Sequence, residues 1–422
     1  MRVNFDNRGV FGKPVYPDPI LPESLGIEYP IGQRFEHIYG GGLWIGGKLD
    51  TSISGTGQRI KVVSTAFEGW AGPLFEFFPG SSASDSIWKA YGRTAPKPAG
   101  WDVYWGTSLP YHPVADQNFY CTYSDYLSRP SGHIPMQVKV IQSSYAWDSS
   151  SAEAIHIIEY KIMNNGTRLL DSAYIGVFVD GDVGPIDTLN YYARNYSAYL
   201  PSLNTAYIHN PIHSGSTPIG LRLLDTHRPL AQLRFTFQWY PGPQSPSPDN
   251  VRYNLLSLGG IKPDEFPALS DTRFLLGFGP FFIRPAIGPD PDTLRIAVAL
   301  LSGRTINALQ QNATRALELY RSQVLDVEKS PDGIPKQFLL GQNFPNPFNP
   351  ATTFPFGLGH SSFVTLKVFD LLGREVTTLL NEEKQAGTHS VQFDASHLAS
   401  GVYYYRMQAG DFADVKKFVV LK

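Results

Sequence analysis

Two carboxylates flanking a glycine are the first residues in this sequence that could do chemistry. In the run Asp180-Gly181-Asp182-Val183-Gly184-Pro185-Ile186-Asp187, Asp180, Asp182 and Asp187 could wrap a hard cation. Calcium takes about six to eight oxygens at once, and the glycines would let backbone carbonyls join the side chains. The full EF-hand loop is absent, since its fifth position is not an acid and its last is not a glutamate. An acidic turn that merely ends a strand is the competing reading. No other cofactor is expected.

A second group is aromatic. Trp101, Tyr104, Trp105, Tyr111, Tyr120, Tyr123 and Tyr126 crowd a stretch rich in proline and glycine. Exposed rings stack on sugars, so Trp101, Tyr104 and Trp105 are candidate glycan-binding residues, with Asp102, Asp116 or Asp125 to hold hydroxyls. Rings that anchor a loop into the core would look the same in sequence. His209 and His213 are four apart, but Pro211 between them makes a loop of what a zinc site would need as a helix. The single cysteine, Cys121, rules out an internal disulfide and reads as a buried thiol. No Gly-x-Ser-x-Gly, phosphate-binding loop or dinucleotide fingerprint occurs, so no catalytic residue is assigned. A hydrolase with paired carboxylates on distant strands would leave no local trace.

The elements that must position these groups are mostly strands. Hydrophobic residues make up 42% of 422 and aromatics 13%, enough for real cores. The 39 glycines and 34 prolines suit strands joined by tight turns. Strands are expected at 42–45, 58–64, 136–142, 154–163, 173–179, 230–240 and 294–301. In Ile155–Ile162 the set His156, Ile158, Tyr160 and Ile162 is the expected inward face. One helix stands out, with Ile306, Leu309, Ala313, Leu317, Tyr320 and Val324 at helical spacing and Thr305 placed to cap it. The fold class is therefore all-β: a large sandwich-like body, 1–327, closed by one C-terminal helix. A polar linker at 328–336 follows, then a second domain at 337–422. A net charge of −2 offers no field for nucleic acid, and no run of ~18 apolar residues could span a membrane as a helix.

The second domain opens with Gln342-Asn343-Phe344-Pro345-Asn346-Pro347-Phe348-Asn349-Pro350. Its prolines fix an extended, turning backbone, and its phenylalanines can plug the end of a small sandwich. Strands follow at 363–370, 375–380, 388–393, 402–409 and 415–421, punctuated by Gly373, Gly387, Gly401 and Gly410. With Val368-Phe369-Asp370-Leu371-Leu372-Gly373-Arg374-Glu375-Val376, Ala386–His389, Leu398–Tyr403 and the closing Lys416-Lys417 strand, this segment resembles the type A C-terminal sorting domain of the type IX secretion system, an immunoglobulin-like module. The resemblance implies export from a Gram-negative bacterium to its surface or medium. It also implies the outer-membrane translocon and sortase-like processing machinery as partners, and release of the body or its attachment to lipopolysaccharide. The sorting residues it carries over are Asn343, Pro345, Asn346, Pro347, Phe348, Asn349, Pro350, Asp370, Gly373, Gly387, Gly401, Lys416 and Lys417. The start, Met1–Asn7, lacks the apolar stretch of a secretory signal, so the leader is expected to have been removed or to lie upstream.

The body is similar to an uncharacterised β-rich family of secreted proteins, on the strength of Tyr39–Gly47, Glu159–Gly166 and Tyr174–Gly184. That similarity implies no activity. Triplets at Asp85-Ser86-Ile87, Asp171-Ser172-Ala173, Asp187-Thr188-Leu189 and Asp292-Thr293-Leu294 are similar to the O-glycosylation signal of bacteria that use this route. The sequence favours a non-enzymatic structural or adhesive protein over a carbohydrate-binding module or glycan-active hydrolase.

Overall fold

The computed structural model describes residues 1–12, 26–50, 57–67, 76–79, 86–105, 109, 111, 113–127, 133–226, 229–242, 248–286, 293–325, 338–341, 343, 346, 348–410 and 412–421. The expected linker, 328–336, lies outside them. The chain forms two compact units, Met1–Tyr320 and Arg321–Lys422.

In the first unit, two antiparallel sheets face each other. One has eight strands, in the order Tyr196–Leu200, Thr205–His209, Ile219–Thr226, Thr293–Ser302, Ile155–Asn164, Val138–Ala146, Gln117–Ser124 and Trp88–Tyr91. The other runs Arg234–Pro241, Thr272–Ile283, Leu170–Gly181, Gly40–Asp50 and Val10–Gly12, with Arg59–Thr65 also paired to Gly40–Asp50. Ile158, Tyr160 and Ile162 from the first sheet meet Leu43, Ile45, Ile175, Val177 and Leu276 from the second in one continuous core. Each such side chain contributes about 1.5–3 kcal/mol by leaving water. Short strands Arg2–Val3, Ile27–Glu28, Phe35–Glu36 and Gly184–Pro185 form a separate small sheet.

The inward set in Ile155–Asn164 is as expected, but the reverse face is covered too. Ile155 and Ile157 are buried there, and Glu159 accepts a hydrogen bond from Tyr320 Oη at 3.1 Å. Two-sided burial explains the near-continuous apolar run of Thr293–Ser302. Helices supply the cover. A five-residue α1, Trp101–Trp105, and an eight-residue α2, Asp249–Leu256, join the expected α3, Ile306–Leu319. Thr305 caps α3, its side chain accepting from Ala308 N at 3.1 Å. The buried face of α3 is Leu309, Ala313, Ala316 and Leu319, while Leu317 is only half-buried. On the other sheet, Tyr253 and Leu256 of α2 pack against Trp44, Val63, Phe178 and Leu275.

The second unit is a seven-stranded sandwich. Leu339–Leu340, Ala351–Leu358 and Gly387–Asp394 form one sheet. Glu375–Lys384, Ser362–Phe369, Gly401–Ala409 and Phe412–Val420 form the other, in that order, which leaves Glu375–Lys384 at an edge. Strict alternation places Val364, Leu366 and Val368 opposite Phe354, Phe356 and Leu358 in its core. Seven strands split three and four are the immunoglobulin-like plan.

Candidate functional sites

Two residues of the acidic turn do come together, but their third partner is not the one the sequence suggested. Asp180 lies opposite Arg273 in the ladder between Leu170–Gly181 and Thr272–Ile283. Arg273 Nε is 3.0 Å from Asp180 Oδ2, and its Nη2 is 3.5 Å from Asp271 Oδ2. Carboxylate oxygens of Asp180, Asp182 and Asp271 lie within 4.8 Å of one another. Asp187 stands apart, three-quarters exposed and 3.5 Å from Arg34. The chain turns at Gly184-Pro185 to pair with Glu36 and Phe35, which carries Asp187 away. Burial pushes the Asp180 carboxyl up to about 7, opposed by Arg273 and reinforced by Asp271 and Glu36.

Hydrogen bonding around this cluster is incomplete. Oδ1 of Asp180, Oδ1 of Asp271 and Oδ1 of Asn195 are buried acceptors with no donor among the described residues. Asn195 is itself fully buried, and its amide nitrogen donates to Tyr192 O at 2.7 Å and reaches Gly181 O at 3.5 Å. Its backbone exchanges two hydrogen bonds with Ser270, the neighbour of Asp271. Gly242 closes over the cluster, and a Cβ there would overlap Arg273 Nη1 and Asp271 Oδ2.

The aromatic run folds inward. Trp101 is 1% exposed and Trp105 4%. Trp101 donates from Nε1 to Leu109 O at 3.0 Å and is ringed by Trp88, Trp105, Tyr111 and Tyr120 at centroid distances of 4.8–5.8 Å. Both indoles are buried, so neither presents a face to a sugar. Tyr104 is half-buried, tilted against Trp88 at 5.5 Å. Asp125 is fully buried, accepting from Ser64 Oγ, Met136 N and Val138 N, each at 2.7 Å, so a sugar hydroxyl does not reach it. Asp102 pairs with Lys97 at 2.6 Å, and Asp116 accepts from Asp148 N at 2.9 Å. His209 and His213 pack on different rings, Tyr196 and Phe35. Cys121 is buried, and desolvation pushes its thiol well above the ordinary range.

In the second unit the asparagine and proline opening is sewn onto the last strand. Val419 N donates to Asn346 Oδ1 at 2.9 Å, and Asn346 Nδ2 donates to Lys417 O at 3.3 Å. Phe348 exchanges backbone hydrogen bonds with Val419 and Leu421 while its ring enters the core against Phe418, 5.7 Å away. Asn343 is buried, its N–H donating to Tyr405 Oη at 2.9 Å and its amide to Thr352 Oγ1 at 3.0 Å. Pro350 O accepts from Ala395 N, and Asn349 precedes it through a cis peptide. Pro345 and Pro347 lie outside the described residues. Asp370 ties the Leu371–Arg374 turn, accepting from Leu372 N, Arg374 N and Arg374 Nε at 2.7–3.0 Å. Gly373 there has φ +75°, which a β-carbon would strain. The turn leaves Leu371 and Leu372 66% and 76% exposed. Gly387 and Gly401 each open a strand, and Lys416 and Lys417 lie on the last one.

The family described as secretion system C-terminal sorting domain matches residues 342–421. Residues 342–421 are therefore a secretion sorting domain. It carries the type IX address, so the chain is a protein destined for the cell surface or the extracellular space. Among the described residues no helix is long and apolar enough to cross a membrane. No curated protein matches the sequence. Among solved structures, a polysaccharide lyase aligns at 9% identity and TM-score 0.22, over 69% of this chain and 35% of that one. The dimeric latent PorU of Porphyromonas gingivalis aligns at 12% identity and TM-score 0.19, over 72% of this chain and 31% of that one. The chain thus spans about a third of either protein.

Proposed function

We propose that the body is a non-enzymatic structural or adhesive protein of the bacterial surface or medium. Its sorting domain is read by the outer-membrane translocon and handled by sortase-like machinery, and the body is then released or joined to lipopolysaccharide. The observation that carries this reading is the sorting domain itself, folded at 342–421 around its own core. A body built as two sheets closed on one continuous apolar core, with helices on both outer faces, supports a structural role. The test is fractionation of cells expressing the chain cut before Pro335. Loss from surface and medium is expected, and delivery equal to that of the intact chain would refute the targeting. Turnover of a polysaccharide by the purified intact chain would refute the non-enzymatic part.

Glycan binding is a second reading, supported by rings on the two faces of the strand Trp88–Tyr91. Tyr91 is 64% exposed beside Phe119, and Trp88 and Tyr104 are half-buried next to each other. A glycan array with wild type, Tyr91→Ala and Trp88→Ala decides it. Binding lost in either variant supports the reading and tells which face of the strand carries it, and no binding by wild type removes it.

A further inference from the structure

We infer that Asp180, Asp182 and Asp271, with the side-chain carbonyl of Asn195, form a calcium site in the body. Three buried acceptors of this cluster have no donor among the described residues. A buried carboxylate oxygen without a donor is costly, and native proteins pair nearly all such atoms. Here Oδ1 of Asp180, of Asp271 and of Asn195 are all in that state. The Asn195 amide nitrogen faces the carbonyls of Tyr192 and Gly181, which fixes the side chain with its oxygen as the unmatched atom.

Arg273 does not resolve this. Its one positive charge is shared by Asp180 and Asp271, and its Nε and Nη1 lack aligned hydrogen bonds although Nε lies 3.0 Å from Asp180 Oδ2. A cation bonds to oxygen without the directional demands of an N–H, so it satisfies several acceptors at once where a guanidinium cannot.

Geometry and donor type select the ion. The three carboxylates offer oxygens within 4.8 Å of one another. Calcium–oxygen bonds of about 2.3–2.6 Å put opposite ligands ~4.6–5.2 Å apart, so one calcium would fit among them. The donor set is all oxygen, without thiolate or imidazole, which favours a hard cation over zinc or copper. Magnesium demands a tighter octahedron and keeps its water. Asp180 and Asp182 come from one strand end and Asp271 from just before the Thr272–Ile283 strand, which pairs with it, so the ion would clamp two neighbours in the six-stranded sheet. Such a site would bind its ion whatever route the protein takes out of the cell.

The test is calorimetric titration of the chelator-stripped intact chain with calcium chloride, alongside thermal melts in calcium and in EDTA. One calcium per chain is expected, with a melting rise of roughly 4–8 °C at a hundredfold excess over the dissociation constant. Asp182→Asn and Asp271→Asn should each weaken binding at least tenfold. Asp187→Asn should leave it unchanged. Because Asp180→Asn alters a buried pair and could misfold, the partly exposed Asp271 provides the variant that keeps the test clean. A folded wild type with no heat and no melting shift at 10 mM calcium would overturn the site. So would binding retained in both Asp182→Asn and Asp271→Asn, or an equal response to magnesium chloride.

Discussion

Truncating Phe348 to alanine should strongly destabilise the sorting domain while leaving the body intact. The ring is 3% exposed, and Phe→Ala at such a site costs about 3–5 kcal/mol. Some 80 residues carry a total stability of only about 4–12 kcal/mol at 0.05–0.15 kcal/mol per residue. One truncation therefore removes a large share of it. All seven tryptophans lie before residue 240, so tryptophan fluorescence follows the body alone. Hydrogen exchange of peptides covering Gly401–Ala409 follows the sorting domain. That exchange should accelerate roughly 10²- to 4 × 10³-fold at 1.4 kcal/mol per decade, while the fluorescence transition stays in place. Delivery to the surface should fall with the folded fraction. Asn346→Ala, which removes two exposed hydrogen bonds to the last strand, should cost only about 1–2 kcal/mol and leave delivery nearly intact. If Asn346→Ala abolished delivery from a folded domain, the motif would be read directly, and the argument that it acts by building the fold would fail.

Burial lowers the His156 pKa to about 3 from an ordinary 6.5. The folded state then binds this proton less readily than the unfolded chain, so its contribution is full above pH 6.5 and declines as pH falls. Between pH 6.5 and 4.5 the loss is roughly 2 kcal/mol, and His156→Leu should flatten that limb in urea midpoints taken across pH. An unchanged slope would contradict it. Cys121 should resist Ellman's reagent in native protein and react within minutes once denatured; fast labelling of the native chain would show that the thiol is accessible. Gly242→Ala forces a methyl into Arg273 and Asp271, so a loss of about 1–3 kcal/mol is expected in denaturant melts, and a wild-type midpoint would count against that close approach.

The sequence disclosed strands wherever alternation or a β-branched run was uninterrupted. Ile155–Asn164 and the five strands after Phe363 were legible for that reason. Thr272–Ile283 was hidden because Gly277, Gly279 and Pro280 read as punctuation inside it. Gln117–Ser124 was hidden because polar and aromatic residues mix on both faces. Helix α2 follows a proline-rich run and has too few turns for a clear period. At the acidic cluster, Asp180 and Asp182 were visible as neighbours, but Asp271 is ninety residues away and reaches them only through the strand register that sets Arg273 against Asp180. Asp187 is near the pair in sequence, but the turn at Gly184-Pro185 carries it away. Trp101 and Trp105 looked available because composition does not say which way a ring points.

The edge position of Glu375–Lys384 bears on how crowded copies of this protein behave. An unpaired strand is a template for another chain. Here its outer half reads Asn381-Glu382-Glu383-Lys384 and is largely solvent-exposed. Two copies joining edge to edge would bring glutamates close in the shifted registers and leave few apolar contacts to compensate. Charge at this one border thus discourages fibre-like stacking among molecules that queue for the same exit.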